Sequence, residues 1–327
     1  MKIIENKKIF LTIGLSVMLG SLAVVSIFGL KLGIDFTGGS LTEVSYEDKP
    51  TQSVIEEAVN SSVSDLGAFS VRQSANNDGG IGYIIRTRDL SEPERESLHA
   101  AVTEINEGTI DRFTSIGPVI GEELKNKAVW AIGGVALIII LYVAFAFAGV
   151  GKPVGSWVYG GITIFALIHD VLVPAALMSL LGLLLGVEVD VLFVMALLAV
   201  LGYSVNDTIV VFDRVRENLI RYRQEKKKKT KDEFGQPKEE IDYVFNKPFS
   251  EIVSESVSQT IARSINTSFT TLLALIALYF IGGSVTQIFA LILIAGVVAG
   301  TYSSIFLAPP LLVYMAERSA TKEADQK

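Results

Sequence analysis

The 327-residue chain has no cysteine and only two histidines, His99 and His169. Without thiols there is neither a disulfide framework nor a thiolate metal site, and the redox compartment leaves no trace in the sequence. Two imidazoles so far apart do not make a His-based metal centre. A phosphate loop is missing as well. Gly79, Gly80 and Gly82 cluster, but no helix follows them directly, so turn chemistry is the reading for these glycines. No nucleophile elbow and no metal-ligand spacing occur, which excludes the common soluble-enzyme sites and leaves no residue that asks for a cofactor. Charge is the last scarcity: residues 264–316 contain no Asp, Glu, Lys or Arg.

What fills the chain instead is apolar. Half the residues are hydrophobic, and several runs exceed the roughly 18 residues that mark a membrane span. After a head at 1–8 with Lys2, Lys7 and Lys8, an uncharged run covers 9–30. Ser21-Leu22-Ala23 resembles a signal-peptidase site, but the apolar run continues past it and further spans follow, so an uncleaved anchor is expected. Later spans are expected at 128–150, 154–186, 191–212, 263–281 and 285–314, giving six. Gly151-Lys152-Pro153 ends the second, and Gly282-Gly283-Ser284 separates the last two. In the sixth, Gly296, Gly300 and Ser304 recur every four residues, a small-residue face suited to close helix contact. Pro309-Pro310 is expected to disturb the end of that helix.

Between the first two spans, residues 31–127 are soluble in character and acidic, with 17 Asp and Glu against 9 Lys and Arg. Strands are expected near 40–46, 69–74, 81–88 and 109–116, with helices from 51 to about 66 and from 91 to about 107. Thr51 is the expected N-cap of the first helix. Ser91-Glu92-Pro93-Glu94 is a capping-box signature for the second. Ala75-Asn76-Asn77-Asp78-Gly79-Gly80 joins the middle strands as a turn. The order βαββαβ is the ferredoxin-like split unit. The fold class is therefore a six-span α-helical membrane protein with one ferredoxin-like α+β domain outside the bilayer.

The segment 213–262 contains 11 Lys and Arg, including Lys226–Lys229. With the basic head and a tail at 315–327 that carries Arg318, Lys322 and Lys327, it sets orientation by the positive-inside rule: both termini cytoplasmic, the acidic domain outside. The lysine run reads as a solvated, partly disordered loop rather than a lipid or nucleic-acid site. Residues 248–261 read as an amphipathic helix lying at the membrane lipid surface.

Asp207 stands inside the fourth apolar run, where an ionised side chain costs several kcal/mol unless it meets a partner, a bundle interior or a water path. The expected partner is Arg263, which opens the fifth run and heads a polar stripe of Asn266, Thr267, Thr270 and Thr271 at helical spacing; Asn206 adjoins the acid. An Asp207–Arg263 pair would form a proton relay lined by the stripe, or a static pair that sets helix register. His169 and Asp170 in the third run are second-rank candidates, beside Pro174, which frees a backbone carbonyl.

Four segments carry a family resemblance: Gly33-Ile34-Asp35-Phe36-Thr37-Gly38-Gly39, Ser115-Ile116-Gly117-Pro118-Val119-Ile120-Gly121, the stretch from Gly202 to Glu217, and Ala262-Arg263-Ser264-Ile265-Asn266-Thr267-Ser268. Through them the chain resembles, over nearly its whole length, the SecF family of protein-export subunits in the resistance-nodulation-division superfamily. The resemblance implies half of such a transporter bundle, a periplasmic domain, and a place in the bacterial cytoplasmic membrane. It implies a SecD partner, association with the SecYEG channel with SecA acting upstream, a translocating preprotein as client, and protons as the driving ion. It also implies that Asp207 and Arg263 take part in proton movement, with no nucleotide hydrolysis by this chain. The loop at 213–262 departs from the family, being longer and richer in lysine. Two further readings stand beside this one: a stand-alone small-molecule or lipid exporter of the same superfamily, and a purely structural assembly subunit.

Overall fold

Long apolar runs in hydrocarbon become helices, because every backbone N–H and C=O must find its partner within the segment. The computed structural model describes residues 3–75, 81–147, 154–231 and 237–325. In chain order it contains α1 (Lys7–Phe28), α2 (Ile34–Thr37), β1 (Gly39–Tyr46), α3 (Gln52–Ser62), β2 (Ser70–Ala75), β3 (Ile81–Thr87), α4 (Glu92–Thr103), β4 (Thr109–Ile116), α5 (Pro118–Ala146), α6 (Ser156–Leu185) and α7 (Val191–Tyr222). Then come β5 (Arg223–Lys231), β6 (Pro237–Phe245), α8 (Phe249–Ile281), α9 (Ser284–Tyr302), a π turn (Ser303–Leu307) and α10 (Ala308–Asp325). The turn expected over 76–80, the break at 151–153 and Lys327 lie outside the described residues.

Six helical stretches are long and apolar enough to cross a membrane: α1, α5, α6, α7, α8, and the run from α9 through the π turn into α10. Half of α6, of α7 and of the last run is buried within the chain, so these three form the middle of the bundle. The others turn Leu19, Phe145 and Phe269 outward, as spans facing hydrocarbon do.

Between α1 and α5 the four strands pair in the order β2-β3-β1-β4, antiparallel throughout, with α3 and α4 packed together on the sheet. This is the ferredoxin-like arrangement expected from βαββαβ. Its core holds Val44, Ile55, Val59, Ile85, Leu98 and Val102, all fully buried. Ser91 and Glu94 form the capping box, with Pro93 in the first turn of α4. Thr51 occupies the N-cap position of α3 with extended backbone but makes no side-chain cap; its hydroxyl lies 3.3 Å from that of Ser53.

The last run confirms the small-residue face. A Cβ on Gly296 would lie 2.1 Å from Val200 Cγ2, and one on Gly300 would lie 3.0 Å from Ser204 Cβ, so α9 lies directly on α7. The helix does not end at the prolines. Pro309 and Pro310 lack the N–H groups that would bond back to the carbonyls of Ile305 and Phe306, and the chain accommodates this with the π turn before continuing as α10.

The segment expected as a long basic loop is mostly regular. α7 runs on to Tyr222, and β5 and β6 pair antiparallel from Arg223↔Phe245 to Lys231↔Pro237, placing the lysine run in a strand. The amphipathic stretch at 248–261 is the first part of α8, continuous with the fifth span. The reason is sequential: no Gly or Pro interrupts 249–281, so nothing separates a surface helix from a membrane one.

Candidate functional site

Asp207 is 4% exposed, on the face of α7 that packs against α8 and α9. Its Oδ2 has no hydrogen-bond partner. Ser268 of α8 faces it. The Ser268 oxygen accepts from Tyr203 Oη at 3.1 Å and lies 2.6 Å from Thr301 Oγ1. Thr301 has one proton for two acceptors, since Val297 O is 2.7 Å away. Asp207 thus faces a chain of hydroxyls whose protons can be re-aimed.

One turn earlier on α7, a second acid is fully enclosed. Asp170 of α6 is 0% exposed. Its Oδ1 lies 2.8 Å from His169 Nδ1, and its Oδ2 accepts from the Ser303 hydroxyl at 2.6 Å and from the Ser204 hydroxyl. Pro174 lacks the N–H that would reach back four residues, which leaves the Asp170 carbonyl without its helical donor. His169 stacks on Tyr302 with ring centroids 5.9 Å apart, and Tyr302 Oη donates to Phe10 O at 2.8 Å. His169 Nε2 is buried with no partner. When Nδ1 donates to Asp170, a neutral ring presents a bare lone pair at Nε2; a charged one presents an unused N–H. The cluster joins α6, α7 and the π turn, with α1 at its margin.

The Asp207–Arg263 contact is not formed. Among the described residues Arg263 has no ion pair, and it is exposed, as are Asn206, Asn266, Thr267 and Thr270. The stripe bonds to its own helix: Thr267 Oγ1 to Arg263 O at 3.1 Å, and Thr270 Oγ1 to Asn266 O at 3.1 Å. Helix phase is the cause. The buried face of α8 runs through Val253, Ser256, Val257, Thr260, Ser264 and Ser268, and Arg263 is about 100° around the helix from Ser264. The stripe therefore occupies an outward surface of the bundle, next to Asn206 and Gly202 on the exposed side of α7.

Sequence reasoning missed Ser204, Ser268, Thr301 and Ser303. A signal was present for the first two: Ser204 precedes Asp207 by three residues, and Ser256, Thr260, Ser264 and Ser268 repeat every four, the spacing of a hydroxyl-bearing helix contact. For Thr301 and Ser303 there was none, because the π turn breaks the α period on which such counting depends. The far ends of α7 and α8 are fastened by Asn218 Nδ2 donating to Ser256 Oγ at 2.8 Å and Tyr222 Oη to Glu255 Oε1 at 2.9 Å.

An unpartnered carboxylate oxygen inside a bundle is costly, and a proton is the smallest species that changes it, removing the charge and turning an acceptor into a donor. Two such acids, linked by a serine and bordered by movable hydroxyls, define a class: a polytopic membrane protein with a half-transporter bundle of the resistance-nodulation-division kind and one ferredoxin-like domain. The family models agree. "Protein export membrane protein SecD/SecF, C-terminal" matches residues 97–236 and 234–318, and "SecD/SecF GG Motif" matches 23–49. "Protein translocase subunit SecF" of Thermobaculum terrenum is 38% identical, over 95% of this chain and 92% of that protein. Its counterpart in Anaerolinea thermophila is 37% identical, over 96% and 93%. The crystal structure of SecDF from Thermus thermophilus superposes with a TM-score of 0.78 at 30% identity, covering 97% of this chain and 39% of the SecDF chain. The chain belongs to the SecF family of protein-export membrane proteins.

Proposed function

We propose that this chain, paired with a SecD subunit, couples the proton motive force to late preprotein translocation through a Sec channel in the bacterial cytoplasmic membrane. SecA acts upstream, both termini lie in the cytoplasm, and the α+β domain is periplasmic. Asp207 is the proton-carrying acid. The observation that carries this reading is its Oδ2, buried at membrane depth with no donor, beside the hydroxyls of Ser268, Tyr203 and Thr301.

Arg263, Asn206, Asn266, Thr267 and Thr270 support the pairing. A polar stripe on the outward surface of a membrane bundle is costly in lipid and is relieved by another set of helices. The chain covers 39% of a solved SecDF chain, which leaves most of that assembly, including its SecD part, to a partner. Arg263 is then the counter-ion at that seam, meeting Asp207 or an acid of the partner as the helices shift.

The test co-expresses the chain with SecD in sealed membranes and follows completion of preprotein export with and without a proton gradient. Asp207→Asn is expected to assemble and lose the gradient-dependent part. Unchanged export and gradient dependence would sink the proton-carrier role.

A second reading has its own observation. Asp170 has donors to both oxygens, which is the condition of a carboxylate that fixes packing rather than exchanging protons. In that reading Asp170 and His169 hold the bundle together, and Asp170→Asn lowers the amount of assembled protein without changing the gradient dependence of what remains.

A further inference from the structure

The α6–α7 turn is held from outside the bundle at several points. Arg86 of β3 reaches Glu188 Oε1 at 2.6 Å, Leu32 O at 3.2 Å and Thr37 Oγ1 at 2.6 Å. Arg72 of β2 donates to Gly186 O and, at 3.4 Å, to Leu185 O, the carbonyls that end α6. Leu32 and Val189 form a parallel bridge, with Val189 N–H donating to Lys31 O at 2.7 Å and Gly33 N–H to Val189 O at 2.8 Å.

Asp35 completes the arrangement. Its Oδ2 accepts the N–H of Val191, the first residue of α7, at 2.8 Å. α7 already has a cap of its own, since Asp190 Oδ1 accepts from Phe193 N–H at 2.8 Å. The Asp35 contact is therefore a second carboxylate on the same helix start, supplied from the short α2 turn.

That turn cannot easily swing. A Cβ on Gly121 would lie 2.7 Å from Gly38 N, one on Gly38 (φ +73°) 2.7 Å from Pro118 Cα, and one on Gly39 (φ +126°) 2.6 Å from Thr87 O. The glycines let α2 sit against the starts of α5 and β1 with no slack. Asp207 lies 16 residues further along α7, about 24 Å at helical rise.

Resting on the reading of Asp207 as the proton carrier, we propose that Asp35 is a positioning residue that ties the first turn of α7 to the α+β domain. With Arg72 and Arg86 it makes the α6–α7 turn the joint through which a displacement of α7 reaches the four-stranded sheet. α7 carries the acid, Asp35 holds the helix end, and the arginines of β2 and β3 hold the turn beside it. The extramembrane domain is thereby the output of the membrane acid rather than a passive attachment.

The test uses the full chain with its SecD partner in membranes and reads amide hydrogen exchange over residues 81–87 and 200–210. Asp207→Asn, a neutral stand-in for the protonated acid, is introduced in three backgrounds: native, Asp35→Asn and Asp35→Ala. In the native background it is expected to change exchange in both regions, by about fivefold or more in the sheet. In Asp35→Ala the sheet response is lost and the response at 200–210 persists. Asp35→Asn keeps an acceptor for Val191 N–H and restores the sheet response; a bond needed only for folding would not show this separation. If Asp35→Ala accumulates poorly, Arg86→Gln serves as the second interruption of the joint, with the same expected loss.

A sheet response of native size in Asp35→Ala or Arg86→Gln would overturn the joint while leaving Asp207 in its role. No response in either region, with gradient-dependent export intact in Asp207→Asn, would overturn the proton-carrier reading and the joint with it.

Discussion

The hydroxyl of Ser204 ends on the carboxylate of Asp170, tying α7 to α6 one helical turn before Asp207. The two buried acids thus share a rigid connection, so a change at one is felt at the other through a single side chain.

Ser204→Ala removes one donor from a fully enclosed carboxylate, and a buried acceptor left short of a donor costs about 1–3 kcal/mol. The alanine fits, since Gly300 already allows a Cβ there. The expected result is an assembled complex with a lower thermal midpoint. An unchanged midpoint would show that Ser303 and His169 satisfy Asp170 alone.

Gly296→Ala places a methyl into Val200, and crowding of this kind costs about 1–3 kcal/mol. We expect reduced yield and a lower melting temperature in detergent. Val200→Ala should restore both when combined with it, as the double variant opens the same space; failure of that rescue would place the close contact elsewhere.

Arg263→Gln should leave the stability of the chain alone within about 0.5 kcal/mol, because the side chain is exposed and ion-paired to nothing described. Recovery of SecD by co-purification is expected to fall. Destabilisation of the chain alone, with SecD binding intact, would return Arg263 to an intrachain role.

Outside the membrane, Glu94 has its pKa lowered to about 2, first by the Arg88 side chain and then by the backbone and hydroxyl of Ser91. A carboxylate depressed in the folded state contributes stability that is present above its ordinary value of 4.5 and lost as pH falls toward about 2. Hydrogen exchange over 92–103 in the full chain is expected to accelerate across that window, and Glu94→Gln to flatten the response. Identical profiles for the two would show that the capping box alone, without the charge, stabilises α4.

Six spans and the βαββαβ domain could be read because apolar length, capping residues and turn residues are local signals. The Asp207–Arg263 pairing could not. Every face of α8 near residue 263 carries a hydroxyl or an amide, so composition does not say which side faces α7, and a shift of one residue turns the helix by about 100°. The hydroxyls around Asp170 come from three separate elements, and their meeting depends on the π turn, which no periodic pattern announces. Asp35 was visible only as part of a family motif. Its contact with Val191 joins residues 156 positions apart.

The wide turn at 303–307 holds more chain per revolution than the helices on either side of it. Deleting one residue there would let the run wind regularly and would rotate all that follows by about 100°. Leu312 and Val313, now fully buried, would leave their seats, and the tail would exit in a different direction. The heading of the carboxyl terminus is thus encoded as chain length, which point substitutions preserve and a single-codon deletion does not.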